Sequence, residues 1–288
     1  MKQAVSVFDS RVNLLAESPL WHPLTSTLYW VDFPNNLLRS RHGDTTQEIK
    51  LAEMATAIAW IDIEHLLLAK PSGLYQFNTH THAETLLVAI EAQRADLRSN
   101  DGRADPWGGF WLGTMSREGE EAIGSIYRWY QSELRLLVSE IGISNGLCFD
   151  KSRHLAYFAD SAKQQIFSIK LNDLGWPIAK PELFMDFSAS KDVPDGAVVD
   201  AKGNLWVALW DGAGVVCISA EGELLQRIDV KVKRPTCPAF GGERAHILFV
   251  SSAQLGLETQ AAKTIANGNM IQFEHGTTGL FEPAVKIK

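Results

Sequence analysis

The chain has 288 residues, 45% of them apolar and 21% charged, with glycine and proline spread along its whole length. That is the composition of an ordinary packed globular protein. The formal net charge is −7 and no basic run stands out, which argues against nucleic acid or an anionic membrane surface as partner and leaves small molecules as the class to consider. The amino terminus, MKQAVSVFDSRVN, alternates polar and apolar residues, and no long uncharged apolar run occurs anywhere, so the chain reads as cytoplasmic, without signal peptide or membrane span.

Taken in chain order, one unit recurs six times: a polar turn, an apolar run, a second apolar run and an amphipathic strand. It starts at Glu17 (ESPLWHP), Thr56 (TAIAWID), Ser99 (SNDGRAD), Ile143 (ISNGLCFD), Val193 (VPDGAVVD) and Pro235 (PTCPAFGG), at spacings of 39, 43, 44, 50 and 42 residues. These spacings fit one four-stranded propeller blade per unit, and the helical periodicity of an α-solenoid is missing. The second strand of each unit is expected at Thr27–Asp32, His65–Ala69, Phe110–Thr114, Leu155–Asp160, Asn204–Ala208 and Ile247–Ser251. Each is a short, nearly continuous apolar run, as a strand covered on both faces requires.

The spacing therefore predicts an all-β fold, a six-bladed β-propeller with four-stranded blades, as a single domain over residues 1–288. Residues 5–8 and 280–287 are leftover β-like segments at opposite ends, and their pairing within one blade is expected to close the ring. The stretch 253–268 is the least regular. Cys148, Cys217 and Cys237 are odd in number and widely separated, so buried free thiols are expected. The nine Trp residues are assigned mainly to core packing, with Trp21 and Trp210 as candidates for the channel border. His80 and His82 are assigned to a solvated outer turn.

In a propeller the innermost strands begin near the central channel, so polar residues at corresponding repeat positions converge there. Glu17, Asn100, Asn145 and Asp195 hold those positions. All four offer oxygen donors, the set a hard or borderline divalent cation prefers, and no His or Cys accompanies them as a structural zinc would need. Taken singly, Asn-Gly and Asp-Gly are turn formers; their recurrence in register points to a metal centre.

These motifs resemble the regucalcin (senescence marker protein), gluconolactonase and luciferin-regenerating enzyme family of six-bladed propellers. The resemblance spans nearly the whole chain. It rests on Glu17-Ser-Pro-Leu-Trp21, Arg98-Ser-Asn-Asp-Gly102 with Asp105, Phe110-Trp-Leu-Gly-Thr-Met115 and Ser144-Asn-Gly-Leu147. Tyr157-Phe-Ala-Asp-Ser161, Pro194-Asp-Gly196, Gly203-Asn-Leu-Trp-Val-Ala-Leu209 and Phe240-Gly-Gly-Glu243 complete it. The resemblance implies a divalent metal, one of Ca, Zn, Mn, Mg or Fe, on Glu17, Asn145 and Asp195, with Arg98, Asn100 and Glu118 toward the sugar. The chain departs from the family's pattern at Gly108-Gly109, where Gly-Arg is common, and at Cys148-Phe149.

The expected reaction is metal-dependent hydrolysis of a sugar lactone to the aldonic acid, with Asp195 as general base, in a monomer or weak homo-oligomer. A non-catalytic calcium-binding propeller and a metal-dependent hydrolase of another ester or an organophosphate are the alternatives. Gly142-Ile-Ser144-Asn-Gly146 matches the pattern of a serine nucleophile elbow, but Leu147 to Ala159 reads as strand, turn and strand where that elbow needs a helix.

Overall fold

The computed structural model describes residues 4–119, 122–257, 267–274 and 276–287. After β1 (Ser6–Asp9) the chain builds four-stranded antiparallel sheets in succession. Blade 1 is β2 (Ala16–His22), β3 (Thr27–Asp32), β4 (Leu37–His42) and β5 (Thr45–Lys50). Blade 2 is β6 (Ala57–Trp60), β7 (His65–Lys70), β8 (Gly73–Asn78) and β9 (Glu84–Ala89). Blade 3 is β10 (Leu97–Ala104), β11 (Phe110–Ser116), β12 (Gly124–Tyr130) and β13 (Glu133–Ile141).

Blade 4 is β14 (Ser144–Asp150), β15 (Leu155–Asp160), β16 (Gln165–Lys170) and β17 (Glu182–Asp186). Blade 5 is β18 (Val193–Val199), β19 (Leu205–Trp210), β20 (Gly214–Ile218) and β21 (Leu224–Asp229). Blade 6 is β22 (Pro235–Gly241), β23 (Ile247–Ser252) and β24 (Met270–Glu274), with β1 as its outermost strand. Each inner strand contacts the inner strands of both neighbouring blades, β22 closing onto β2. The fold is a six-bladed β-propeller. Among the described residues a 3-10 turn at Phe33–Asn35 is the one helical element.

The apolar residues form six clusters, one in each seam between blades. Phe77 meets Leu20 and Val31 between blades 1 and 2, for example, and Trp206 meets Phe240 and Leu248 between blades 5 and 6. Inner and second strands are buried on both faces, while β5, β9, β13, β17 and β21 are largely exposed. Sealing a seam with large side chains stabilises the ring by about 1.5–3 kcal/mol per fully buried residue. Turns between first and second strands are fixed by aspartates. Asp62, Asp105, Asp150 and Asp200 each accept backbone N–H groups two to four residues ahead, which is the Asx-turn chemistry that ends one strand and aims the next.

Closure differs from the sequence expectation. β1 pairs with β24, Ser6 opposite Gln272 and Val7 opposite Ile271, and 280–287 is not a strand. Together with Thr278 and Gly279 it runs across the rear of the ring as a strap. Ala201 N–H donates to the Thr278 carbonyl at 3.0 Å, Gly279 N–H to Ala245 at 2.8 Å, Val285 N–H to Trp60 at 2.9 Å and Lys286 N–H to Gly108 at 2.9 Å. Pro283 lacks the donor a strand would need, and its neighbour Glu282 is drawn into the channel by Arg103. Of the irregular stretch 253–268, residues 258–266 lie outside the described residues.

The three cysteines are free and buried. The His80/His82 segment is an exposed turn tied by Asn78 Oδ1, which accepts the His80 and Thr81 N–H groups. The departure at Gly109 has a physical partner. A Cβ there would lie 2.5 Å from Asp105 Oδ2 and 3.1 Å from Arg128 Nε, so glycine leaves room for the fully buried Arg128–Asp105 pair at 2.7 Å.

Candidate active site

Five of the six inner strands carry a bulge near the start, each placing two residues opposite one. Glu17 pairs Val31 while Leu20 pairs Tyr29, and the same step occurs at Ser99/Gly102, Asn145/Cys148, Pro194/Ala197 and Pro235/Pro238. A bulge re-aims side chains and opens the ladder locally. Glu17, Asn100, Asn145 and Asp195 lie at or inside these bulges and line one cavity of about 280 Å³ at the front of the channel. β6 has no bulge and supplies no lining residue.

The amides are held in a fixed chain. Arg98 Nη1 donates to Asn100 Oδ1 at 2.7 Å, and Asn100 Nδ2 donates to Asn145 Oδ1 at 2.9 Å and to the Ser144 carbonyl at 2.9 Å. Asn145 Nδ2 donates to Ser161 Oγ at 2.9 Å, and that hydroxyl donates to the Pro194 carbonyl at 2.6 Å. The bonds orient Asn145 with Oδ1 on the Asn100 side, and an amide oxygen retains a second lone pair for a further partner. The Arg98 guanidinium stacks over Phe33, 5.2 Å from the ring centroid, and burial pulls its pKa down to about 10.

The carboxylates have no such compensation. Burial, then the charges of Asp195 and Asp101, push the Glu17 carboxyl well above the usual range, with the Ser18 N–H and Arg98 offsetting only part. Burial and Asp101 push Asp195 the same way, against the Gly196 N–H. Buried like charges without a counter-cation are unfavourable in isolation. A divalent cation held by Glu17 and Asp195 would remove that penalty, so the donor set fits one. Among the described residues no group of three or more His, Cys, Asp and Glu side chains is arranged to hold a metal. The oxygen donors that could hold a cation are the carboxylates of Glu17 and Asp195 and the Asn145 amide, the kind a hard cation prefers.

The remaining wall is apolar: Leu15, Phe33, Met115, Ile143, Val193, Trp210 and Leu255. Trp210 thus borders the channel, whereas Trp21 stacks on Phe249 at 5.7 Å and does not line the cavity. Glu118 is exposed three residues beyond Met115, its N–H donated to Ser116 Oγ at 3.2 Å, and it is not part of the cavity wall. Ser144 is fully buried, with Oγ packed so tightly on Gly113 that a Cβ there would lie 1.9 Å away, and it begins a strand. It has neither the exposure nor the helix of a nucleophile elbow.

Sequence reasoning missed two contributors. Asp101 reads as a turn residue inside Asn-Asp-Gly yet is a buried carboxylate facing the same centre. Ser161, at the end of Tyr-Phe-Ala-Asp-Ser, is the hydroxyl that locks Asn145.

A six-bladed propeller with an oxygen-rich cavity at one end of its channel defines the class of protein. Within that class, the chain belongs to the family described as the SMP-30/Gluconolactonase/LRE-like region, whose sequence profile matches residues 15–254. It is 33% identical over 268 residues to an L-arabinolactonase from Azospirillum brasilense, covering 90% of this chain and 87% of that one. It is 28% identical over 272 residues to a 6-deoxy-6-sulfogluconolactonase from Pseudomonas putida, covering 93% and 92%. Among solved structures it is similar to a calcium-binding protein, regucalcin, from Agrobacterium tumefaciens str. C58. That similarity has a TM-score of 0.95 and 32% identity, over 100% of this chain and 99% of that one.

Proposed function

We propose that this chain hydrolyses a sugar lactone to the open-chain aldonic acid in the front cavity, with one divalent cation held by Glu17, Asn145 and Asp195. The observation that carries the reading is that two carboxylates, half-buried Glu17 and buried Asp195, whose ionisation burial and like charge oppose, line a single cavity together with the locked Asn145 amide. Relatives named as lactonases, spanning nearly the whole chain, support the reaction class. The oxygen donors favour a hard cation such as calcium, magnesium or manganese over zinc or iron.

Opening a lactone adds the oxygen of water to the carbonyl carbon, breaks the bond from that carbon to the ring oxygen, and returns a proton to the leaving alkoxide. A cation bound at the floor supplies polarisation of the carbonyl and acidification of water. Asp195 accepts the proton of the attacking water and returns it to the leaving oxygen. Asn100 and Arg98, coupled by their own hydrogen bond, meet sugar hydroxyls and fix the ring over the floor. Glu118 would reach a sugar only from outside the cavity wall, at its mouth. The apolar wall excludes water from the face opposite the floor.

The test is proton release from a panel of pentono- and hexonolactones by chelated protein, by protein with each divalent ion restored, and by Asp195→Ala. The reading expects cation-dependent acid release that the variant loses. Folded, cation-loaded protein that leaves every lactone intact at its spontaneous rate would overturn it.

A further inference from the structure

Behind the front cavity the channel holds a second set of buried charges. Asp101 accepts the Gly102 N–H at 2.8 Å on one carboxylate oxygen and the Leu147 N–H at 2.9 Å on the other. The carbonyl of that same Leu147 accepts Arg103 Nε at 2.7 Å. Arg103 Nη1 is ion-paired with Glu282, and both side chains are nearly buried, 8% and 13% exposed. Glu282 comes from the C-terminal strap, where its carbonyl accepts Trp60 Nε1 at 2.8 Å. Leu280 to Pro283 of that strap close a rear cavity of about 250 Å³ over Arg103.

The order along the channel is therefore carboxylates Glu17 and Asp195 at the front, Asp101 behind them, then Arg103, then Glu282. None of the last three lines the front cavity, so none is placed to touch a substrate there. Asp101 sits beside Asn100, whose amide bonds Asn145, and holds the Leu147 N–H two residues past Asn145; from there its charge acts on both front carboxyls, and both Asp101 and Glu282 act on Arg103. In a desolvated channel such charges are weakly screened.

We propose that Asp101 and Glu282 are positioning residues for the cation: Asp101 adds negative charge directly behind the site, and Glu282 cancels the Arg103 charge that would otherwise oppose a cation. The proposal rests on the reading of Glu17, Asn145 and Asp195 as cation ligands. It gives the strap a purpose that sealing the rear of the ring alone does not. A cation needs net negative charge, and the one buried guanidinium beside Asp101 is neutralised from the opposite side by a residue more than 260 positions away from Glu17 in sequence.

The experiment is calorimetric titration of calcium and manganese into chelated full-length protein, with thermal melts to confirm folding. Asp101→Asn removes the charge along with one of the two backbone acceptors and is expected to bind about tenfold or more weakly, and Glu282→Gln several-fold more weakly, as loss of one unscreened charge requires. The deciding variant is Arg103→Met combined with Glu282→Gln, which removes both charges of the rear pair. An electrostatic role predicts that this double variant recovers affinity to within about twofold of wild type, since the opposing charge has gone. A merely structural role predicts that it binds no better than Glu282→Gln alone, and that result would overturn the proposal. So would unchanged affinity in a folded Asp101→Asn. Wild-type protein that binds no divalent cation would overturn the proposed function first, and this inference with it; wild-type binding with unresponsive variants would overturn this inference alone.

Discussion

Two pairs of buried charges in this propeller are handled in opposite ways. Inside blade 3, Arg128 and Asp105 are both fully buried and meet at 2.7 Å. Arg128 also packs between Tyr130 and Trp176, 4.6 and 4.3 Å from their ring centroids, and Asp105 Oδ1 takes the Trp107 and Gly109 N–H groups. At the front of the channel, Glu17 and Asp195 share a sign, and Arg98 offsets only part of the penalty on Glu17. The first pair is compensated within the chain and belongs to the fold. The second has no comparable partner within the chain, and on the proposed reading a bound cation offsets its cost in stability.

Substitutions should separate the two pairs cleanly. Asp195→Ala is expected to lower kcat by about a thousandfold or more, roughly 4 kcal/mol of barrier, while raising the melting temperature of chelated protein, because one of two repelling carboxylates is gone. Arg128→Met is expected to do the reverse. It strands a buried carboxylate and costs about 3–5 kcal/mol of stability in denaturant titrations, with kcat of the folded fraction unchanged. Arg98→Ala should raise KM for the lactone about ten- to a hundredfold, the loss expected of charge-assisted hydrogen bonds to sugar hydroxyls, and tighten rather than weaken cation binding, because it removes a positive charge that acts on Glu17.

The smallest expected effect is a pH dependence. Glu17 and Asp195 ionise at higher pH in the folded chain than at their ordinary values of 4.5 and 3.8. Between those values and the raised ones the native state holds more protons than the unfolded state, so stability falls as pH rises through that window. Above it the loss is constant. Chelated protein should therefore melt lower at pH 8 than at pH 5.5 on account of these groups, and the difference should shrink with Asp195→Asn or with saturating cation. A slope that neither the variant nor the cation reduces would place the titration elsewhere.

The blade count, the second strands and four of the cavity's polar residues were legible in the sequence because repetition fixes them. A strand buried on both faces must be apolar throughout, and each bulge needs a small or polar residue at the same place. Ring closure was not legible. The strand Met270–Glu274 follows an irregular stretch that hides its place in the repeat, whereas 280–287 alternates like a strand but is diverted by Pro283 and by the pull of Arg103 on Glu282. Asp101 was hidden by its neighbours, since Asn-Asp-Gly reads as a turn whether or not its middle carboxylate is buried. Blade 2 shows the converse: its inner strand, Ala57–Trp60, is apolar, unbulged and absent from the site, and its sequence reads accordingly.

The most direct measurement is an anomalous difference map from crystals soaked in manganese. The account predicts one strong peak ligated by Glu17, Asp195 and the Asn145 amide oxygen, lost in Asp195→Ala crystals. No peak there in protein that still hydrolyses lactones, or a peak that persists without Asp195, would contradict it.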